Sequence, residues 1–338
     1  MINNEKYVKV VVSPTKGVKR STTVNNVDLL VTENGVYEPE PPYTGFGMVS
    51  VDVGGTLPYP YRQMSISDAG VLRGYSNVVG LNVGDLTFTD VGNFALTSYC
   101  FGLIYEGNIN YDNIINIIGT YAFAYGFRES NITGKISFNG LETISGNYSF
   151  DNAFMRAKVT NVEFNSLEEV TGQYAFYRAF YCMDGNVNIT VKRTTKSYAF
   201  YGAFSGEGTD EVLVAPTVTG IFDSLESVGG AYAFEWGFAH NPHIVNVSFT
   251  KLKELTGNLD FGYCFEGCSN LISLSFPALK STSFGSFTNH FNYMLLNCSD
   301  VTVHFPSNLQ SVIGSWTSIN NGFNGTRTTI LFDLPATE

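Results

Sequence analysis

Apolar and polar residues alternate in short bursts along most of this chain, and the bursts return at a regular interval. In the stretch KISFNGLETISGNYSF, Ile136 and Phe138 flank a polar residue, as in a half-buried strand. Leu141, Ile144 and Gly146 follow, and then a phrase rich in aromatic residues. The strand pair recurs as Leu81/Val83, Ile109/Tyr111, Ile136/Phe138, Val162/Phe164, Ile189/Val191, Val212/Val214, Val247/Phe249, Leu274/Phe276, Val303/Phe305 and Ile330/Phe332. Second members are separated by 28, 27, 26, 27, 23, 35, 27, 29 and 27 residues. The short and long intervals adjoin, so the register is expected to hold across one longer loop, placed at 216–223. A period near 27 over ten strand pairs predicts a solenoid, in which each coil buries its apolar face only against its neighbours.

The aromatic phrase carries the same period. It reads YAFAYGF from Tyr121, YSFDNAF from Tyr148, YAFYRAF from Tyr174, YAFYGAF from Tyr198 and YAFEWGF from Tyr232. Two phenylalanine ladders are predicted: Phe123, Phe150, Phe176, Phe200, Phe234 and Phe261, and then Phe127, Phe154, Phe180, Phe204, Phe238 and Phe265. Within a coil the two rings are four residues apart, so one helical turn is expected to aim both inward. The small residue beside them lets successive turns approach. The fifth letter varies (Tyr125, Asn152, Arg178, Gly202, Trp236, Tyr263), which is the mark expected of an exposed position.

The first 55 residues lack the period. YVKVVV (7–12) reads as a strand. VTENGVYEPEPPYTGFGMVSVDV (31–53) reads as strand, turn and strand, with the tight-turn dipeptide Asn34-Gly35 and an extended proline cluster. GGTLPYP (54–60) reads as a linker. The expected organisation is a small β domain, of sandwich type, at 1–56, a link at 57–65, and the solenoid at 66–338. The fold class is therefore mostly β.

Composition narrows the function. Charged residues are 14% of the chain and the net charge is -11, with no basic stripe to neutralise phosphates, so no nucleic-acid partner is expected. No apolar run has membrane-spanning length, and no membrane insertion is expected. The start lacks a basic segment followed by a long apolar run, so folding in a cytoplasm is expected. The 5 cysteines show no paired metal or redox spacing; Cys268 and Cys298 fall at equivalent repeat positions and read as a buried thiol ladder. HNPH (240–243) has no third ligand in register and reads as a solvated loop. The acidic pairs at 168–169 and 210–211 lack partners for acid–base work. Phosphate-loop and nucleophile-elbow motifs are absent. No catalytic, metal or cofactor-binding residue is predicted, and no cofactor.

FEGCSNLISLSFPAL (265–279) resembles the BspA-like leucine-rich repeat, and LLNCSDVTVHFP (295–306) is a second, shifted copy. The resemblance spans about residues 66–334. It implies a leucine-rich-repeat solenoid with a short-strand sheet on one face, and a role in surface attachment and protein binding. The pattern TENGxYxP with GFGxVxVxV at 31–53 is similar to segments of tail and virion-surface proteins of tailed bacteriophages. That resemblance implies docking to a particle through other virion proteins, with the repeat domain turned toward a host-surface glycan or protein. Localisation to a virion follows. A BspA-like adhesin on a bacterial cell surface is the alternative, and a glycan-degrading enzyme fits least well.

Two surfaces are candidates for binding. One is the outward strand column Asn110, Ser137, Glu163, Thr190, Leu213, Ser248, Ser275, His304 and Leu331, a polar face that ordinary solvation also explains. The other is the fifth-letter position, above all Tyr125, Trp236 and Tyr263, where the rings could stack on a sugar or pack on another subunit. Homo-oligomerisation or membership of a larger assembly is expected.

Overall fold

A computed structural model describes residues 108–112, 114–209, 212–280, 289–313 and 328–337. Backbone alone is described for the strand residues between 9 and 106 and for 208–209 and 212–213. The expected 1–56 module and 57–65 link lie outside the fully described residues.

The described residues form a parallel-strand β-solenoid of about 7 turns with about 27 residues per coil. One ladder joins Ile109–Asn110, Asn131–Ser137, Lys158–Val170, Asp184–Thr194 and Thr217–Thr219, all parallel. It is continued in kind by Asn246–Ser248, Ser273–Ser275, Thr302–Pro306 and Thr329–Leu334. A second ladder joins Asn116–Ile117, Thr143–Ile144, Glu169–Val170, Arg193–Thr194, Ser227–Val228 and Glu254–Leu255. The strand Lys158–Val170 takes part in both because register shifts after Val159 and after Phe164 carry it around the coil. Backbones also meet at the corners: a Cβ on Gly172 would run into the carbonyl of Gly146 in the coil before.

The core is a herringbone of phenylalanine columns. Along the first predicted ladder, Phe123, Phe150, Phe176 and Phe200 stack at centroid spacings of 4.9, 5.0 and 4.8 Å. Along the second, Phe127, Phe154, Phe180 and Phe204 stack at 4.8, 5.2 and 5.4 Å. The strand residues Tyr111, Phe138 and Phe164 form a third column at 4.8 and 4.7 Å. It meets the first edge-on, Phe138 to Phe150 at 5.3 Å and 87°. Edge-to-face and offset stacking are the two arrangements that the ring quadrupole favours.

The register differs from the expected one around the irregular coil. Val162 pairs with Val187, not with Ile189. Val187 in turn pairs with Val218, not with Val212. Val212–Val214 instead forms an antiparallel hairpin with Glu207–Thr209. The extra residues are therefore this hairpin, and Thr217–Thr219, assigned to the longer loop, is the coil strand. At the other end Ile109 pairs with Leu86, while Leu81–Asn82 pairs with Tyr105–Glu106. Alternation has period two, so sliding a strand by two residues keeps every apolar side chain on the same face. Hydrophobic pattern alone does not separate Val187 from Ile189.

The aromatic phrases are not helical. Tyr121, Tyr125 and Glu129 have positive φ, as do Tyr148, Asn152 and Arg156 in the next coil and Tyr174, Arg178 and Cys182 in the one after. Every fourth residue is thus left-handed. Alternate N–H groups point to the following coil: Tyr121 to Asn147 O at 3.0 Å, Phe123 to Ser149 O at 2.6 Å, Tyr125 to Asp151 O at 2.9 Å and Phe127 to Ala153 O at 2.8 Å. The intervening N–H groups close tight turns, for example Gly126 to Phe123 O at 3.0 Å. Positive φ is what a type II turn demands of its third residue, and on a tyrosine it costs about 1–2 kcal/mol. The inter-coil bond made by each such residue offsets that cost. The two phenylalanines still point inward, for a different reason from the helical one expected.

Candidate binding face on the aromatic turns

The turn run puts its letters to different use. The two phenylalanines and the small residues beside them are buried. The first letter, Tyr121, Tyr148, Tyr174, Tyr198 and Tyr232, stacks along the outside at 5.0, 4.8, 4.7 and 5.0 Å. Tyr121 is 51% exposed and the other four are half-buried. Repetition of this tyrosine reads like a core signal, but the column is a surface row. Its rings cover one another across coils, so each loses area to its neighbours without entering the core.

A second row lies beside it. Tyr177 stacks on Tyr201 at 5.1 Å, and Tyr201 meets Trp236 edge-on at 5.3 Å and 89°. Trp236 leads to Tyr263 at 5.2 Å and Tyr263 to Tyr293 at 5.1 Å. Trp236 and Tyr263 are therefore brought together, as the sequence places them. Tyr125 is not with them: it belongs to a coil on the far side of those carrying Tyr148, Tyr174 and Tyr198. There it is half-buried, with Arg128 5.7 Å from its ring centroid and Asn152 Nδ2 3.5 Å from its hydroxyl. The fifth letter as a class is not uniformly exposed either. Asn152 is buried and Arg178 exposed, with its guanidinium 5.6 and 5.5 Å from the rings of Tyr177 and Tyr181.

Carboxylates stand at the fourth letter of two phrases, Asp151 and Glu235, and a third, Glu266, follows the phrase. Asp151 is buried and its pKa is pushed up to about 6 by that burial, against the lowering pull of a hydrogen bond from Asn152. Glu235 is half-buried, and burial pushes its pKa up to about 7. Among the described residues Glu235 has no side-chain hydrogen bond or ion pair. Glu266 accepts from Trp236 Nε1 at 2.9 Å and from Asn297 Nδ2 at 3.4 Å. Sequence reading missed Asp151, Glu235 and Glu266 because their column is otherwise filled by Ala124, Tyr177, Tyr201 and Gly262 or lies outside the phrase. Only the neighbouring coils show what surrounds them.

The strand column expected to face outward is largely occupied with itself. Ser137 is buried, opposite Glu163 in the register. Glu163 takes Lys135 Nζ at 3.1 Å, Asn139 Nδ2 at 3.1 Å and Asn161 Nδ2 at 2.6 Å. Its partner on the next strand is Asn188, so Thr190 leaves the column and donates to Phe164 O at 3.2 Å instead. Asn110 caps its own turn, accepting from Asp112 N–H at 2.8 Å. Ser275 donates to Ser248 Oγ at 2.8 Å, and His304 Nδ1 lies 3.0 Å from Asp333 Oδ1. The side chain of Leu213 lies outside the described residues, and Leu331 is 37% exposed.

Other groups of chemical interest are structural in their surroundings. His240 and His243 are exposed around Asn241, which is fully buried and donates to Phe204 O at 3.0 Å and Pro216 O at 2.9 Å. Cys268 and Cys298 are buried as expected, donating to Phe238 O at 3.0 Å and Phe265 O at 2.9 Å. Burial raises both thiol pKa values, that of Cys298 to about 11. Asp260 and His290, both fully buried, meet at 2.8 Å where other coils carry alanine or serine. Among the described residues no group of 3 or more His, Cys, Asp or Glu is placed to hold a metal ion, and no helix is long and apolar enough to cross a membrane.

No protein-family model matches this chain, and neither the curated proteins nor the solved structures give a match.

Proposed function

We propose that this solenoid is an attachment module whose binding face is the row of aromatic turns. The observation that carries the reading is the pair of half-exposed aromatic rows, Tyr121 to Tyr232 and Tyr177 to Tyr293, held in place by inter-coil hydrogen bonds. Rings that are already stacked and ordered lose little conformational entropy on binding. Their repetition from coil to coil presents the same chemistry at regular steps of about 4.8 Å, which suits an extended or repetitive partner. The polar strand face supports the role less well, because its side chains already satisfy one another.

The carrier of this module is a tailed-bacteriophage particle, on a tail or capsid-surface fibre or decoration protein. The support is the resemblance of residues 31–53 to virion-surface segments; other virion proteins would hold the N-terminal part and the host surface would meet the solenoid. The repeat-like stretch 265–279 supports a second reading, a BspA-like adhesin on a bacterial cell. Mass spectrometry of purified particles separates the two: the polypeptide is expected in virions, and its presence on cell envelopes alone would sink the phage reading. A cell-binding assay with the full chain tests the face. Tyr174→Ala together with Trp236→Ala is expected to abolish attachment, and undiminished attachment would exclude the aromatic rows.

A further inference from the structure

The strand Thr329–Leu334 closes its parallel ladder with one edge bare. It pairs with Thr302–Pro306 on one side and, among the described residues, with no strand on the other. Thr329 N–H turns back to Val301 O at 2.9 Å. Successive residues of a strand turn their backbone groups to opposite sides, so those of Ile330 and Phe332 point off the end of the coil. The side chains lack cover on the same side. Val303 and Phe305 are fully buried, whereas Ile330 and Phe332, the next rungs, are half-buried. Phe332 stacks on Phe305 at 5.7 Å, and among the described residues no ring lies on its other face. Leu331, between them, is 37% exposed. The residues that follow fold back toward earlier coils and leave the edge open: Thr337 N–H donates to Asn308 Oδ1 at 3.2 Å and its hydroxyl to Leu279 O at 2.6 Å. Devices that commonly keep an edge from pairing are missing here. Thr329–Phe332 holds no lysine, proline or charge, and the register shift falls only beyond the Leu331 pairing. Residues 307–332 carry one charge, Arg327, against six in 158–184. Two copies of this end can therefore approach in spite of a net charge of -11 on each.

We propose that a second copy of this chain covers the edge, by antiparallel pairing of Thr329–Leu334 with its own equivalent about a two-fold axis at Leu331. The strand is self-complementary in that register. Ile330 of either copy stands opposite Phe332 of the other, on the inward face, so each bare rung gains an apolar neighbour. Both residues turn their N–H and C=O groups outward, which is what a hydrogen-bonded antiparallel pair needs. Leu331 meets Leu331 on the outer face, in a non-hydrogen-bonded pair with Cα atoms about 4.5 Å apart. Thr329 meets Asp333, a hydroxyl donor against a carboxylate. Other registers match less well. An axis at Ile330 sets Phe332 against Thr328, and one at Phe332 sets Leu331 against the Asp333 carboxylate. An axis between residues turns inward side chains against outward ones. A head-to-tail contact would need a matching edge at the other end of the solenoid and would propagate into a filament. The pairing does not rest on the attachment reading.

Light scattering on the full chain, eluted from a sizing column at about 50 μM, is expected to give twice the mass of one chain. Leu331→Lys and Leu331→Glu change an exposed outer position, and each should be monomeric, because the axis sets like charges directly opposite. Mixing the two variants should restore the dimer, which damage to the fold would not do. Leu331→Cys should give a covalent dimer under mild oxidation, with the disulfide mapped by mass spectrometry to position 331 in both copies, since the axis brings the two within disulfide reach. That variant keeps the test open should the charged ones fold poorly. A monomer for the unsubstituted chain would overturn the proposal and leave the edge to a strand of another protein. A dimer that survives Leu331→Lys, a mixture of folded variants that stays monomeric, or the absence of linkage at position 331 would each overturn it as well. Growth into filaments would overturn it in favour of head-to-tail contact.

Discussion

Phe150 sits at the centre of the herringbone, and its removal tests whether ring stacking or mere burial holds the coils together. It is fully buried, stacked on Phe123 and Phe176 at 4.9 and 5.0 Å and edge-on to Phe138 and Phe164 at 5.3 Å each. Phe150→Ala removes the side chain from a site that cannot collapse, because inter-coil bonds such as Phe150 N–H to Ala175 O at 2.7 Å fix the spacing. Loss of transfer energy plus a cavity costs about 3–5 kcal/mol, and the four ring pairs place this site near the top of that range. Phe150→Leu keeps most of the apolar volume and loses only the ring pairs, for about 2–3 kcal/mol. Tyr148→Ala, a neighbour on the surface row with two ring contacts at 5.0 and 4.8 Å, serves as the contrast. It should cost about 1 kcal/mol. Urea unfolding ranks the three. Because solenoid stability is carried by nearest-neighbour interfaces, hydrogen exchange read by mass spectrometry should accelerate first in 121–127, 148–154 and 174–180. A cost below about 1.5 kcal/mol for Phe150→Ala, or one no larger than for Tyr148→Ala, would refute the ladder as the source of stability.

Asn241→Ala leaves the carbonyls of Phe204 and Pro216 without their buried donors, and it should cost about 2–4 kcal/mol by urea denaturation. The raised pKa values of Glu235 and Asp151, about 7 and about 6, mean that the folded state holds both protons to higher pH than the unfolded chain does. Stability from these two groups is therefore highest below pH 4 and falls as pH rises toward 7, by on the order of 1 kcal/mol after solvent screening. Melting curves of Glu235→Gln and Asp151→Asn should show a shallower decline, and an unchanged slope would refute the assignment. Cys182, Cys264, Cys268 and Cys298 are buried with raised thiol pKa values, so none should react with a thiol reagent at pH 8 before unfolding; prompt labelling of any of them, mapped by mass spectrometry, would contradict that burial.

The repeat, its inward phenylalanine ladders and the buried Cys268–Cys298 positions are all readable from the chain alone. A solenoid must bury the same positions in every coil, so the requirement writes itself into the sequence as a period. Two things are not local enough to be written there. The choice between Val187 and Ile189 as partner of Val162 is degenerate under alternation, and only the hairpin at Glu207–Val214 and the neighbouring strand resolve it. The left-handed conformation at Tyr121, Tyr125, Arg178 and Trp236 runs against the preference of each residue by itself. It is stable because the adjacent coil supplies an acceptor to each N–H, a partner up to some 27 residues away. Glu235 likewise acts electrostatically on Tyr201, 34 residues before it, and on Tyr263, 28 residues after it. Composition and period thus determined what is buried. Stacking of coils decided what is exposed, because every surface column here is assembled from residues that are neighbours only across the repeat.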